Sequence, residues 1–66
     1  MEENKLLELV FKKFRTQAAF AKALGWWPQK VSRILIGKQT PTIDEIEQMA
    51  AALGVAPITM VRFFIH

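Results

Sequence analysis

The chain has 66 residues, of which 52% are apolar, no cysteine, one histidine at the last position and a formal net charge of +3. That is room for a single domain over residues 1–66, with no disulfide and without the several soft ligands a metal site needs. Apolar runs fall far short of the ~18 residues of a membrane span, and acid–base or nucleophilic work needs convergent groups that a chain with no cysteine, no tyrosine and one terminal histidine lacks, so a binding protein without cofactor is expected rather than an enzyme.

Leu6, Leu7, Val10, Phe11 and Phe14 recur at helical spacing and predict a first amphipathic helix of about three turns. Thr16 then offers a hydroxyl cap for a short second helix over residues 17–24, with Phe20, Ala21 and Leu24 inward and Gly25 ending it. Pro28 suits the first turn of a third helix, about residues 28–36, because its missing N–H would have no partner there; Val31, Ile34 and Leu35 form its inner stripe before Gly37. Thr42 and Glu45 make a capping box that opens a fourth helix with Ile43, Ile46, Met49, Ala50 and Leu53 periodic, closed by Gly54. Pro57 permits a last helix holding Ile58, Met60 and Val61, followed by the apolar Phe63, Phe64 and Ile65. No stretch alternates with a strand period, so the fold class is all-α: five short helices in one compact globule.

Charge is segregated along this chain. Lys12, Lys13, Arg15, Lys22, Lys30, Arg33 and Lys38 fall in a stretch without an acid, and all six acids lie outside it. Such a stretch suits a polyanion, and it coincides with the second and third helices. Those two helices meet through Gly25, Trp26 and Trp27 as a helix-turn-helix corner should. Ala21 is small where the helices cross, Gly25 provides the φ > 0 that a sharp turn needs, and Val31 and Ile34 anchor the third helix beneath.

Over about residues 5 to 62 the sequence resembles the lambda-repressor-like, Cro/C1-type (XRE) helix-turn-helix proteins of bacteria and their phages. The resemblance is carried by Thr16-Gln17-Ala18-Ala19-Phe20-Ala21, Leu24-Gly25, Val31-Ser32-Arg33-Ile34, Gly37-Lys38 with Pro41, and Ile46 through Ala52-Leu53-Gly54-Val55. It implies a five-helix repressor-type fold, cytoplasmic transcriptional control and binding to double-stranded DNA, frequently as a dimer on a palindromic operator. It also implies that Gln17 holds a phosphate through its backbone amide, that the outward residues of the third helix, where Gln29, Ser32 and Arg33 stand, read bases, and that Lys38 contacts a phosphate. With the polar and basic residues around them, the expected DNA-binding set is Arg15, Gln17, Lys22, Trp27, Pro28, Gln29, Lys30, Ser32, Arg33, Lys38, Gln39 and Thr40.

Three positions depart from the family pattern. The turn carries Trp26 and Trp27 where a small aliphatic and a hydroxyl residue are usual; Trp26 is expected to fill the core position, and Pro28 replaces the missing cap. Trp27 has three open uses, as a surface ring, a contact to a thymine methyl or sugar, or part of a partner interface. Leu35 and Val10 stand where the family often has an ion pair, an exchange that hydrophobic burial tolerates. Ala56 lacks a capping side chain before the last helix.

Two further expectations concern partners. Met60, Phe63, Phe64 and Ile65 crowd the end of a small chain and suggest a homodimer contact. The alternative function is a protein-interaction module or antitoxin component that uses this apolar segment for a partner protein, since fold does not fix function. The polar and basic third helix, with no acid nearby, favours DNA. Neither reading involves a membrane, and Glu2, Glu3 and Asn4 lack the basic, apolar start of a secretory signal.

Overall fold

Five helices follow one another in a computed structural model that describes residues 5–65: α1 Lys5–Phe14, α2 Gln17–Leu24, α3 Pro28–Leu35, α4 Ile43–Leu53 and α5 Pro57–Arg62. The expected all-α, five-helix class and its order are therefore observed, with α3 ending one residue earlier than expected because Ile36 is its C-cap. No described helix is long and apolar enough to cross a membrane.

Helix ends follow the sequence signals closely. Thr16 Oγ1 accepts the Ala19 N–H at 3.0 Å. The Thr42–Glu45 capping box is formed both ways, with Glu45 N–H donating to Thr42 Oγ1 at 3.2 Å and Thr42 N–H to Glu45 Oε1 at 2.8 Å. α3 and α5 begin without a side-chain cap, at Trp27 and Ala56, and each has proline in its first turn instead. α2, α3 and α4 are each followed by a left-handed glycine, Gly25, Gly37 and Gly54. The end of α1 takes the same conformation with a different residue: Arg15 has φ 73°, and its N–H donates to the Phe11 carbonyl at 2.9 Å.

The core joins Leu6 and Val10 of α1, Phe20 and Ala21 of α2, Val31, Ile34 and Leu35 of α3, Ile46, Met49, Ala50 and Leu53 of α4, and Met60 of α5. No polar or charged side chain is buried among the described residues. Val10 and Leu35, the pair standing where an ion pair is usual in the family, both belong to this apolar centre. The Phe14 and Phe20 rings lie 5.2 Å apart and tie α1 to α2 at its edge.

Three expectations of burial are corrected. Phe11, expected on the inner stripe of α1, is exposed; successive helical residues turn by about 100°, so with Leu6 and Val10 centred inward Phe11 points past the edge and Leu9 packs instead. Ile43 is also exposed, since it occupies the first turn of α4, ahead of the core that begins at Ile46. Met60, expected at a dimer surface, is fully enclosed within the monomer, so it has no area to offer a partner. Phe63 and Phe64 are half-buried against the same core, and Ile65 is exposed.

Candidate nucleic-acid interface

The corner between α2 and α3 is fixed first by its backbone. Gly25 at φ 75° lets its own N–H reach the Lys22 carbonyl at 3.1 Å and the Trp26 N–H reach the Ala21 carbonyl at 3.0 Å. This is the Schellman closure, and it needs a residue that enters the left-handed region without steric cost. Trp27 follows in extended backbone and starts α3 through its carbonyl, which accepts the Lys30 N–H at 3.0 Å and the Val31 N–H at 3.3 Å. Trp27 as a whole is 79% exposed, so it lies outside the core.

Burial then orients α3. With Val31, Ile34 and Leu35 enclosed, Gln29, Arg33 and Ile36 are exposed on the opposite side, and Lys30 and Ser32 stand half-buried on the two flanks. Arg33 is held by the segment that follows the helix. Its carbonyl accepts the Lys38 N–H at 2.8 Å and the Gln39 N–H at 3.2 Å, while its Nε donates to Gln39 Oε1 at 3.1 Å.

Lys30 behaves differently from the sequence expectation. Its ammonium forms an ion pair with the Glu45 carboxylate and lies 4.5 Å from the centre of the Trp26 ring. The expectation that α3 has no acid near it is thus corrected: the acid comes from the first turn of α4, remote in sequence. Lys30 is consequently engaged within the protein, and its charge is largely compensated. The Lys30 hydrogen bond first, and the Thr42 N–H second, hold the Glu45 carboxyl below the usual carboxylate range, outweighing the opposing effect of burial. Trp26 is half-buried rather than fully enclosed, because its indole N–H reaches outward to Gln48 Oε1 at 3.3 Å.

The remaining expected residues differ in depth. Arg15, Lys22, Pro28, Lys38 and Thr40 are exposed, whereas Gln17 and Gln39 are half-buried. Gln17 occupies the first position of α2, next to the Thr16 cap, where a helix amide has no intrahelical acceptor. Lys13, by contrast, brings its ammonium beside Gly54 at the carboxyl end of α4, where the helix dipole favours a cation. Sequence reasoning missed Glu45 and Gln48 as supports of α3. Their spacing of three residues on one helix was the available signal, but nothing in the sequence states that Lys30 of α3 and Trp26 of the turn reach α4.

A corner closed at Gly25, with an apolar stripe beneath α3 and a polar face above it, agrees with comparison against known families: the helix-turn-helix domain matches residues 13–63. The chain belongs to this helix-turn-helix family. Comparison with curated proteins and with solved structures gives no match. The matched span of this helix-turn-helix domain begins at Lys13 and takes in α2 through α5, so it contains the corner, α3 and the Arg33–Gln39 contact.

Proposed function

We propose that this helix-turn-helix protein is a sequence-specific, repressor-type transcriptional regulator that acts in the cytoplasm without cofactor or catalytic activity. The observation that carries the reading is the exposed face of α3, where Gln29 and Arg33 stand one turn apart opposite the buried Val31, Ile34 and Leu35. In the major groove, a glutamine pairs with adenine N6 and N7, and an arginine forks onto guanine O6 and N7. Lys38, Lys22, Arg15 and the Gln17 amide supply phosphate contacts around that face, and these set position without reading sequence. Ser32, Thr40 and the flanking Pro28 complete the approach, and Trp27 borders it at the start of α3.

Selection of bound sequences from a random duplex library tests this function, with Arg33→Ala and Lys38→Ala compared on the best sequence and on random duplex. Arg33→Ala is expected to weaken the selected duplex far more than the random one and to relax one or two base pairs. Lys38→Ala is expected to weaken both alike. An Arg33→Ala protein that loses affinity uniformly refutes the assignment of base reading to that residue.

A second reading is a partner contact through the C-terminal apolar surface, as in a dimer on a palindromic operator or an antitoxin holding a protein partner. It is favoured by the exposure of Ile58 and Ile65, with Phe63 and Phe64 half-exposed between them in sequence.

A further inference from the structure

The two basic residues of α3 are held in chemically different ways. Lys30 faces a carboxylate and an aromatic ring, an arrangement that compensates its charge. Arg33 faces an amide oxygen, which orients the guanidinium and leaves its full positive charge available. We propose that Gln39 is a positioning residue for Arg33 and so sets the base preference of α3, an inference that rests on the reading of Arg33 as a base contact.

An arginine carries five N–H donors in a planar fork, one on Nε and four on the two terminal nitrogens. Gln39 Oε1 accepts the Nε–H at 3.1 Å. A guanidinium can approach guanine side-on, through Nε and one terminal nitrogen, or end-on, through both terminal nitrogens. With Nε–H occupied, the end-on fork remains. The tether is short, because the Gln39 N–H also donates to the carbonyl of Arg33, at 3.2 Å, beside the Lys38 N–H at 2.8 Å. One residue therefore grips both the backbone and the side chain of Arg33. Gln39 is half-buried, so its own side chain is restrained before DNA arrives. Holding a long side chain in its bound geometry removes part of the ordering cost of association. That gain appears only where Arg33 meets the base it fits, so it acts on preference rather than on general affinity.

The experiment compares wild type, Arg33→Ala, Gln39→Ala, Gln39→Glu and the double variant Arg33→Ala/Gln39→Ala. Each is titrated against the selected duplex, the same duplex with the Arg33 base pair exchanged, and random duplex, with thermal melts confirming that every variant is folded. Gln39→Ala is expected to lower the preference at that base pair about fivefold, the lower end of what a bidentate arginine contact contributes. The double variant should lose no more than Arg33→Ala alone. Gln39→Glu keeps an acceptor oxygen but sets a carboxylate against the guanidinium, as Glu45 stands against Lys30, so it should lower the preference and also weaken binding to all duplexes. Gln39→Ala that weakens all duplexes equally, or none, overturns the positioning role while leaving Arg33 as the reader. Arg33→Ala that loses affinity uniformly overturns the reading of Arg33 itself, and the role of Gln39 with it.

Discussion

The Lys30 ammonium of α3 meets the Glu45 carboxylate of α4 while lying 4.5 Å from the centre of the Trp26 ring. Glu45 also accepts the Thr42 N–H, so a single carboxylate caps one helix and braces the other. Lys30 is thus predicted to matter for folding and little for DNA. Lys30→Met should lower unfolding free energy by about 1 kcal/mol, since it removes a partly screened ion pair and a cation–π contact. If four to six phosphates are neutralised, the log–log salt dependence of duplex binding should have a slope of about −4 to −5. Lys30→Met should leave that slope unchanged, whereas Lys38→Ala should make it shallower by about 0.9. Urea denaturation and anisotropy titrations across salt concentrations check both halves. A slope that changes with Lys30 as it does with Lys38 would mean that Lys30 leaves Glu45 on binding.

Glu45 gives this arrangement a pH dependence whose sign follows from its lowered pKa. Folding holds the carboxyl below its ordinary value of 4.5, chiefly through Lys30 and then through the Thr42 N–H. The unfolded chain therefore binds this proton more readily, and the stabilisation is fully present above the ordinary value. It is lost as pH falls through the folded value. Glu45→Gln should be less stable than wild type near neutrality, with the two curves converging as pH is lowered below about 4.5. Denaturation midpoints of both proteins between neutral and acid pH provide the measurement. A difference that stays constant over that range would exclude the carboxylate as the source.

Local signals made most of the fold legible. Proline in a first turn, threonine before a periodic run and glycine after it each act within a few residues, and they placed the helix starts and stops through Thr16, Pro28, Thr42 and Pro57. The exposed pair Gln29 and Arg33 followed from periodicity, since burying Val31, Ile34 and Leu35 leaves no other orientation for α3. What the sequence concealed depends on which helices become neighbours. Lys30 and Glu45 are separated by the whole α3–α4 loop, and Trp26 and Gln48 by more, so neither contact has a periodic signature. Phe11 and Ile43 misled for a related reason: an apolar residue at the edge of a stripe is buried only if another helix extends far enough to cover it.

Arg15 holds a left-handed conformation at the end of α1, the place where α2, α3 and α4 all use glycine. A side chain with a Cβ pays about 1–2 kcal/mol there relative to the right-handed region, offset in part by the extra freedom glycine has when unfolded. Arg15→Gly is thus expected to stabilise the fold by roughly 0.5–1 kcal/mol. If the guanidinium serves DNA, the same change should weaken binding to selected and random duplexes by a similar factor. Thermal melts and parallel titrations test the trade. A variant that is both more stable and equally tight would leave the arginine without a DNA role.

Met60 and Ile65 separate folding from association at the C-terminus. Met60 is fully enclosed by the core, and truncating such a residue to alanine costs about 2–5 kcal/mol. A single core in a chain this short rarely supplies more than about 3–5 kcal/mol, so Met60→Ala should be largely unfolded at moderate temperature. Ile65 is exposed, and Ile65→Ser should leave the melting temperature nearly unchanged. If the apolar end joins two copies, Ile65→Ser should shift sedimentation equilibrium at micromolar concentration toward monomer and flatten the binding isotherm on a palindromic duplex, because each protomer then binds its half-site alone. Two half-sites one helical turn apart, about 34 Å, let a symmetric dimer present both α3 helices at once. Sedimentation that shows the wild type as monomer at every concentration, on or off that duplex, would remove the C-terminal dimer.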